Sequence, residues 1–286
     1  MSEIVLTLGH SPDPDDAFMF YALAQGFVPT PGMRFNHVLQ DIQTLNERAL
    51  RGELDVSAIS FATYPLLCDQ YTLLPCGASM GDGYGPLVVG RRRWTKSELC
   101  RCRIAVPGTL TSAFLALQLW LERPAAELAY LVVPFDQIIE AVTDGRAEAG
   151  LLIHEGQLTY ARSGLEVCVD LGHWWHQTQD GLPLPLGGNV IHKRHPLARQ
   201  QEVARHLQTS IRYSLAHRAE ALRYALQFGR DLDAELADRF VGMYVNEWTL
   251  DYGERGRAAI HRFLSRAHEQ GLLRQKPALE FVCLPV

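Results

Sequence analysis

A short apolar run, Leu151–Ile153, ends abruptly in His154 and Glu155, with Gly156 next. Leu-Leu-Ile is strand material, so the imidazole of His154 is delivered to a strand tip. In open α/β sheets, ligands bind beyond the carboxyl ends of the strands. Histidine is also the side chain best suited to moving a proton near neutral pH. The segment therefore offers a general base at a sheet edge. A strand-end histidine that only caps neighbouring backbone has the same spacing. Glu155 has two readings as well: it orients His154, or it faces solvent.

Three further segments place acids or hydroxyls at helix starts. The first is Ser11–Asp16: Asp13 suits an N-cap and Pro14 the first helical position. Asp15 and Asp16 then lie in the first turn, where the helix dipole favours them. The second is Ser57-Ala58-Ile59-Ser60, leading into Phe61–Thr63. The third is Thr109–Ala113, with Thr111, Ser112 and Ala113 at its end. Each presents free backbone N–H groups that can take a carboxylate or phosphate, although capping alone explains each one. Asp13, Asp15 and Asp16 with His10 have the composition of a metal cluster. Capping and the dipole already account for those acids, and no metal is expected. Asp41 caps a helix over Ile42–Arg51 and, with Asp16, is counted among the substrate-facing acids.

The elements that position these residues alternate. Strands are predicted at Ile4–Gly9, Phe35–Leu39, Val56–Ser60, Tyr71–Leu74, Leu87–Val89, Ile104–Val106, Leu128–Val133, Gly150–Ile153, Leu165–Asp170 and Asn189–Ile191. Helices fall between most of them, which implies βαβ units around a mostly parallel sheet. Gly77–Gly85 and Gly181–Gly188 read as loops. From Pro196 onward the pattern is helical throughout. The expectation is a two-lobed α/β protein with a cleft between the lobes and a helical C-terminal tail. Residues 1–104 and 190–286 form the first lobe and 105–189 the second. Clefts of this kind favour small ligands.

Composition narrows the class. The 286 residues are 47% hydrophobic and 21% charged, with a net charge of −5. That is a soluble globular composition without the basic footprint of nucleic-acid binding. No apolar run reaches the roughly 18–20 residues that span a bilayer. The N-terminus lacks the pattern of a signal peptide, so a cytoplasmic location is expected. Of the six cysteines, only Cys100 and Cys102 are close, and no zinc pattern completes them. Gly77–Gly85 is not a phosphate loop, since no Gly-Lys-Ser/Thr closes it. No Gly-x-Ser-x-Gly elbow is present. Trp174 and Trp175 could stack on a planar ligand or simply pack.

Seven motifs occur in order: Ser11-Pro-x-Pro-x-Asp16-x-Phe-x-Phe-Tyr21-Ala-Leu, Asp41-x-x-Thr44-Leu-Asn46, Gly85-Pro-Leu-Val-Val89, Val106-Pro-Gly108, Gly150-Leu-Leu-Ile-His-Glu155, Asp170-Leu-Gly-x-Trp-Trp175 and Gly181-Leu-Pro-Leu-Pro-Leu-Gly187. With them the sequence resembles the 1,4-dihydroxy-6-naphthoate synthase family of menaquinone biosynthesis by the futalosine route. The resemblance implies a type 2 periplasmic-binding-protein-like fold. It also implies a lyase reaction without a cofactor, in which cyclic dehypoxanthine futalosine yields 1,4-dihydroxy-6-naphthoate and dihydroxyacetone. The family's base corresponds to His154, and its substrate-binding segments to Ala58–Ser60 and Thr111–Ala113. Asp13-Pro-Asp15 departs from the Cys-Pro-Asn often found there. Two alternatives are a non-catalytic small-molecule binding protein of the same fold and a chorismate dehydratase. The latter usually carries Ile-Gly-Asp where this chain has Ile153-His-Glu155.

Overall fold

The computed structural model describes residues 3–229, 233–275 and 278–285. The remaining positions of the expected first lobe (1–2, 230–232, 276–277 and 286) lie outside the described residues. The chain begins β1 (Ile4–His10), α1 (Pro14–Ala24), β2 (Met33–Leu39), α2 (Ile42–Leu50), β3 (Val56–Ser60), β4 (Tyr71–Leu73) and β5 (Ser79–Gly81). It continues β6 (Leu87–Gly90), α3 (Lys96–Leu99), β7 (Ile104–Val106), α4 (Ser112–Leu121), β8 (Tyr130–Val132), α5 (Ile138–Thr143), β9 (Ala149–Leu152), α6 (Gly156–Thr159), β10 (Glu166–Asp170) and α7 (Leu171–Thr178). It ends β11 (Leu184–His192), α8 (Leu197–Ala216), α9 (Arg218–Ala225), α10 (Ala234–Tyr244), α11 (Glu247–Leu250) and α12 (Gly253–Glu269).

These strands form two mixed sheets. The first has the order β2-β1-β3-β11-β4, with β5 also paired to β11; the second has the order β10-β6-β9-β7-β8. The parallel pairs are β1 with β2 and β3, and β7 with β8 and β9. β11 runs antiparallel to its three neighbours, and β6 to its two. The sheets are therefore less parallel than the alternating pattern predicts. β6 and β11 each enter from the opposite sheet, so no helical crossover constrains their direction.

The strand partners also correct the expected boundaries. The chain leaves the first sheet between Gly81 and Leu87 and re-enters it at Leu184, ahead of residues 104 and 190. β6 is an apolar run buried along its whole length, and such a run carries no periodicity that assigns it to one sheet. β11 begins inside the stretch read as a Pro/Gly loop. Its pairing with β5 is irregular between Pro185 and Gly187, a position where sheets accept proline and glycine. β5 itself lies within the other predicted loop.

Helix α1 is buried from Pro14 to Ala22 because it packs beneath the first sheet against α8, α9 and α10. Its run Ala-Phe-Met-Phe-Tyr-Ala is thus core on all sides. Trp175 is fully buried, packs on Phe263 of α12 and donates its indole N–H to the Pro183 carbonyl. The tryptophan pair is therefore packing.

The two crossings between sheets touch at Gly85 and Gly172, and Leu171 N–H donates to the Pro86 carbonyl at 3.0 Å. A Cβ on Gly172 would lie 1.9 Å from the Tyr84 carbonyl oxygen. Gly172→Ala should therefore cost about 3 kcal/mol, seen in thermal melting as a fall of several degrees in Tm. Gly156→Ala, whose Cβ meets only ordinary contacts at 3.7 Å or more, should melt within about 1–2 °C of wild type. Equal melting of the two variants would show that the crossings do not pack as described.

Candidate active site between the two sheets

Two hydrogen bonds draw the sheets together at one rim. Ala62 N–H donates to Ser112 Oγ at 3.1 Å, and Thr63 Oγ1 donates to the Leu110 carbonyl at 2.8 Å. Gln43 of α2 adds a third contact by accepting from Leu110 N–H at 3.0 Å. Behind this rim lies a cleft with about 730 Å³ of space not filled by protein atoms, part of it open to solvent.

The cleft brings together most of the residues expected to act. Asp16, Ala58, Ile59, Ser60, Thr111, Ser112, Ala113 and His154 all line it. Ser60 ends β3, and its hydroxyl oxygen accepts from Asn46 Nδ2 at 3.1 Å while its N–H donates to Asn46 Oδ1 at 2.8 Å. Thr111 caps α4: its Oγ1 accepts from Phe114 N–H at 3.2 Å and donates to the Gly108 carbonyl at 2.9 Å. The first-turn N–H groups of Ser112 and Ala113 have no intrahelical acceptor, so they suit an anionic or hydroxylated ligand. Asp41 is not among the lining residues. Its carboxylate caps α2 by accepting from Thr44 N–H at 3.0 Å and Thr44 Oγ1 at 2.5 Å.

Sequence reasoning missed part of the lining. Gln157 opens into the cleft one turn beyond His154, and Tyr244 reaches it from α10 in the helical tail. The tyrosine hydroxyl donates to the Gln157 side chain at 3.0 Å, and burial pushes its phenol well above the ordinary range. Asn189 of β11 is buried and donates to the Gly77 carbonyl at 2.9 Å; its Oδ1 has no hydrogen-bond partner among the described residues. Asn189 lies at a wall of the cleft. Only a polar residue in an otherwise apolar strand could have signalled it.

His154 follows β9 and has a left-handed backbone, φ 58°. This conformation costs a non-glycine residue about 1–3 kcal/mol and concentrates at functional sites. The ring meets the edge of Phe135 at 4.5 Å between centroids, and the His154 carbonyl accepts from Gln157 N–H at 3.1 Å. Its Nδ1 lies 3.2 Å from Asp13 Oδ2, with side chains only 15% and 4% exposed. Asp13 occupies the N-cap position of α1 without making a side-chain cap hydrogen bond. Glu155 is buried rather than solvent-facing, and it does not line the cleft.

The acids nearby interact electrostatically with this pair. His10, grouped with them in the sequence, points elsewhere. It is within 2.9 Å of both the Ser11 carbonyl and His37 Nδ1, and burial lowers its imidazole to about 3. His154 takes its place, with atoms of Asp13, Asp15 and His154 within 4.8 Å of one another. Burial, then the charge of Asp13, pushes the Asp15 carboxyl up to about 6 against the opposing pull of His154. Asp16 is raised by burial and by Asp15, and its Oδ2 accepts from Ser11 N–H at 2.7 Å.

An acid whose carboxyl is raised on folding penalises the folded state once the pH exceeds its unfolded value. For Asp15 the penalty grows between pH 3.8 and about 6 and is complete above that window. Asp15→Asn should therefore raise stability at pH 7.5 by about 3 kcal/mol, seen as a higher Tm, and the gain should fade toward pH 4. A gain independent of pH would show that Asp15 carries no such strain.

Comparison with known proteins shows the family and the fold. A family model described as "Menaquinone biosynthesis" matches residues 6–269. A Streptomyces coelicolor protein named 1,4-dihydroxy-6-naphthoate synthase is 38% identical over 98% of this chain and 97% of its own. A Thermus thermophilus protein of the same name is 39% identical over 97% and 99%. Among solved structures, a protein from Archaeoglobus fulgidus superposes with a TM-score of 0.89 at 44% identity, covering 94% of this chain and 98% of its own. The alkanesulfonate-binding protein SsuA from Xanthomonas axonopodis pv. citri superposes with a TM-score of 0.70 at 14% identity, covering 98% and 97%. That likeness shows a periplasmic-binding-protein fold alone. The chain belongs to the menaquinone-biosynthesis family whose model spans both sheets and the cleft between them.

Proposed function

We propose that the chain is a carbon–carbon lyase that converts cyclic dehypoxanthine futalosine to 1,4-dihydroxy-6-naphthoate and dihydroxyacetone. The observation that carries the reading is a strained His154 at the tip of β9, in the cleft, against a buried carboxylate. A passive binding site has no need of that arrangement. The names of the Streptomyces and Thermus relatives support the product. His154 takes a proton from the substrate and starts the cleavage that ends in an aromatic ring. The N–H groups at Ser112 and Ala113 and the hydroxyl of Ser60 hold the substrate's carboxylate or sugar hydroxyls. In this reading the reaction runs in the cytoplasm. Among the described residues no helix is long and apolar enough to cross a membrane.

His154→Asn tests the base. Asparagine tolerates the left-handed backbone, so the variant should fold and bind ligand with near-normal affinity. Its turnover should fall by at least about 10²-fold, the low end for loss of a general base. The wild-type rate should fall at low pH as the imidazole takes up a proton. Near-wild-type turnover by the Asn variant would return the chain to the class of binding proteins.

A further inference from the structure

We infer that Asp13 is the positioning residue of the base: its carboxylate holds the proton of His154 on Nδ1, turns Nε2 into the atom that accepts the substrate's proton, and stays beside the imidazolium that forms. The inference rests on the proposed role of His154 as base.

Asp13 is diverted from an ordinary task. Among the described residues, four aspartates stand at helix N-caps. Asp41, Asp170 and Asp233 accept from Thr44, His173 and Leu236 N–H at 3.0, 2.9 and 2.9 Å. Asp13 stands at the start of an 11-residue helix with the same extended backbone and makes no such bond. Its Oδ2 lies instead 3.2 Å from His154 Nδ1. An aspartate that forgoes a cap has exchanged it for another partner.

The pairing is not a by-product of local packing. Asp13 follows β1 of the first sheet and His154 follows β9 of the second. The base is thus assembled only where the two sheets face each other. Both side chains are largely shielded from water, so their attraction is weakly screened. A neutral imidazole carries one N–H and one lone pair, and the partner of one nitrogen decides which nitrogen holds the proton. A carboxylate accepts only, which assigns the N–H to Nδ1 and the lone pair to Nε2. When Nε2 takes the substrate's proton the ring becomes an imidazolium, and the Asp13 charge offsets the new positive charge. Among the described residues, the charged or titratable groups near the ring include Asp15, with Asp16 behind it, from the same turn, and Glu155 beside it in the chain. Tyr244 of α10 stands beyond Gln157.

The test uses the full chain with Asp13→Asn and His154→Asn side by side. Wild-type protein labelled with ¹⁵N-histidine should show the Nδ1–H tautomer of His154 by long-range ¹H–¹⁵N NMR. In Asp13→Asn the side-chain amide can donate to Nδ1, so the Nε2–H tautomer should take over. Its kcat should fall about 10²–10⁴-fold with KM within about threefold. The acid limb of its kcat/KM profile should move about one pH unit lower, because a carboxylate that favoured the imidazolium is gone. A wild-type Nε2–H tautomer overturns the inference even if Asp13→Asn does not fold. So does an Asp13→Asn protein with wild-type kcat and pH profile beside an inactive His154→Asn. An active His154→Asn overturns the base itself, and this inference with it.

Discussion

The contact between Asp13 and His154 is the constraint around which the cleft is organised. It joins the loop after β1 to the tip of β9, two places that only the meeting of the sheets brings within 3.2 Å. The cost is visible on both sides. His154 carries a left-handed backbone, and Asp13 leaves α1 without a side-chain cap. A third acid, Asp15, is buried beside them with its carboxyl pushed up to about 6. Costs concentrated in a few residues at one point are what a stability-for-function trade looks like.

The rest of the cleft is built to bind rather than to react. Its walls are helix starts, short hydroxyls and the glycines of β11, which lie in register with Ser60 and Ile59. The same scaffold serves proteins of about 14% identity whose solved forms include a sulfonate-binding protein. Fold and function separate here along a clear line. Two sheets and their helix N-termini supply the walls of the cleft. The imidazole at the β9 tip, with the carboxylate that faces it, is the feature that supports chemistry.

Much of this was legible in the residues. Leu151–Ile153 running into His154 reads as a strand tip, and Ser60 and Thr111 read as helix starts that line the cleft. Long-range choices were not legible. β6 is apolar throughout and could belong to either sheet, while Pro185 and Gly187 disguised β11 as a loop. Asp41 lies outside the cleft lining, and its cap on α2 is what the structure shows of it. Asp13 was under-read. Capping explains an aspartate before Pro14 so well that nothing local reveals the absent cap bond. Tyr244 is one buried position among several on the inner face of α10, and its reach into the cleft depends on how the tail folds back.

The most direct measurement is incubation of the purified chain with cyclic dehypoxanthine futalosine, followed by mass spectrometry of the small molecules. The account predicts that the substrate disappears over many turnovers and that 1,4-dihydroxy-6-naphthoate and dihydroxyacetone appear in equal amounts. Substrate that is bound by the protein yet recovered intact would contradict it, and would make the cleft a binding site whose strained histidine has no chemical task.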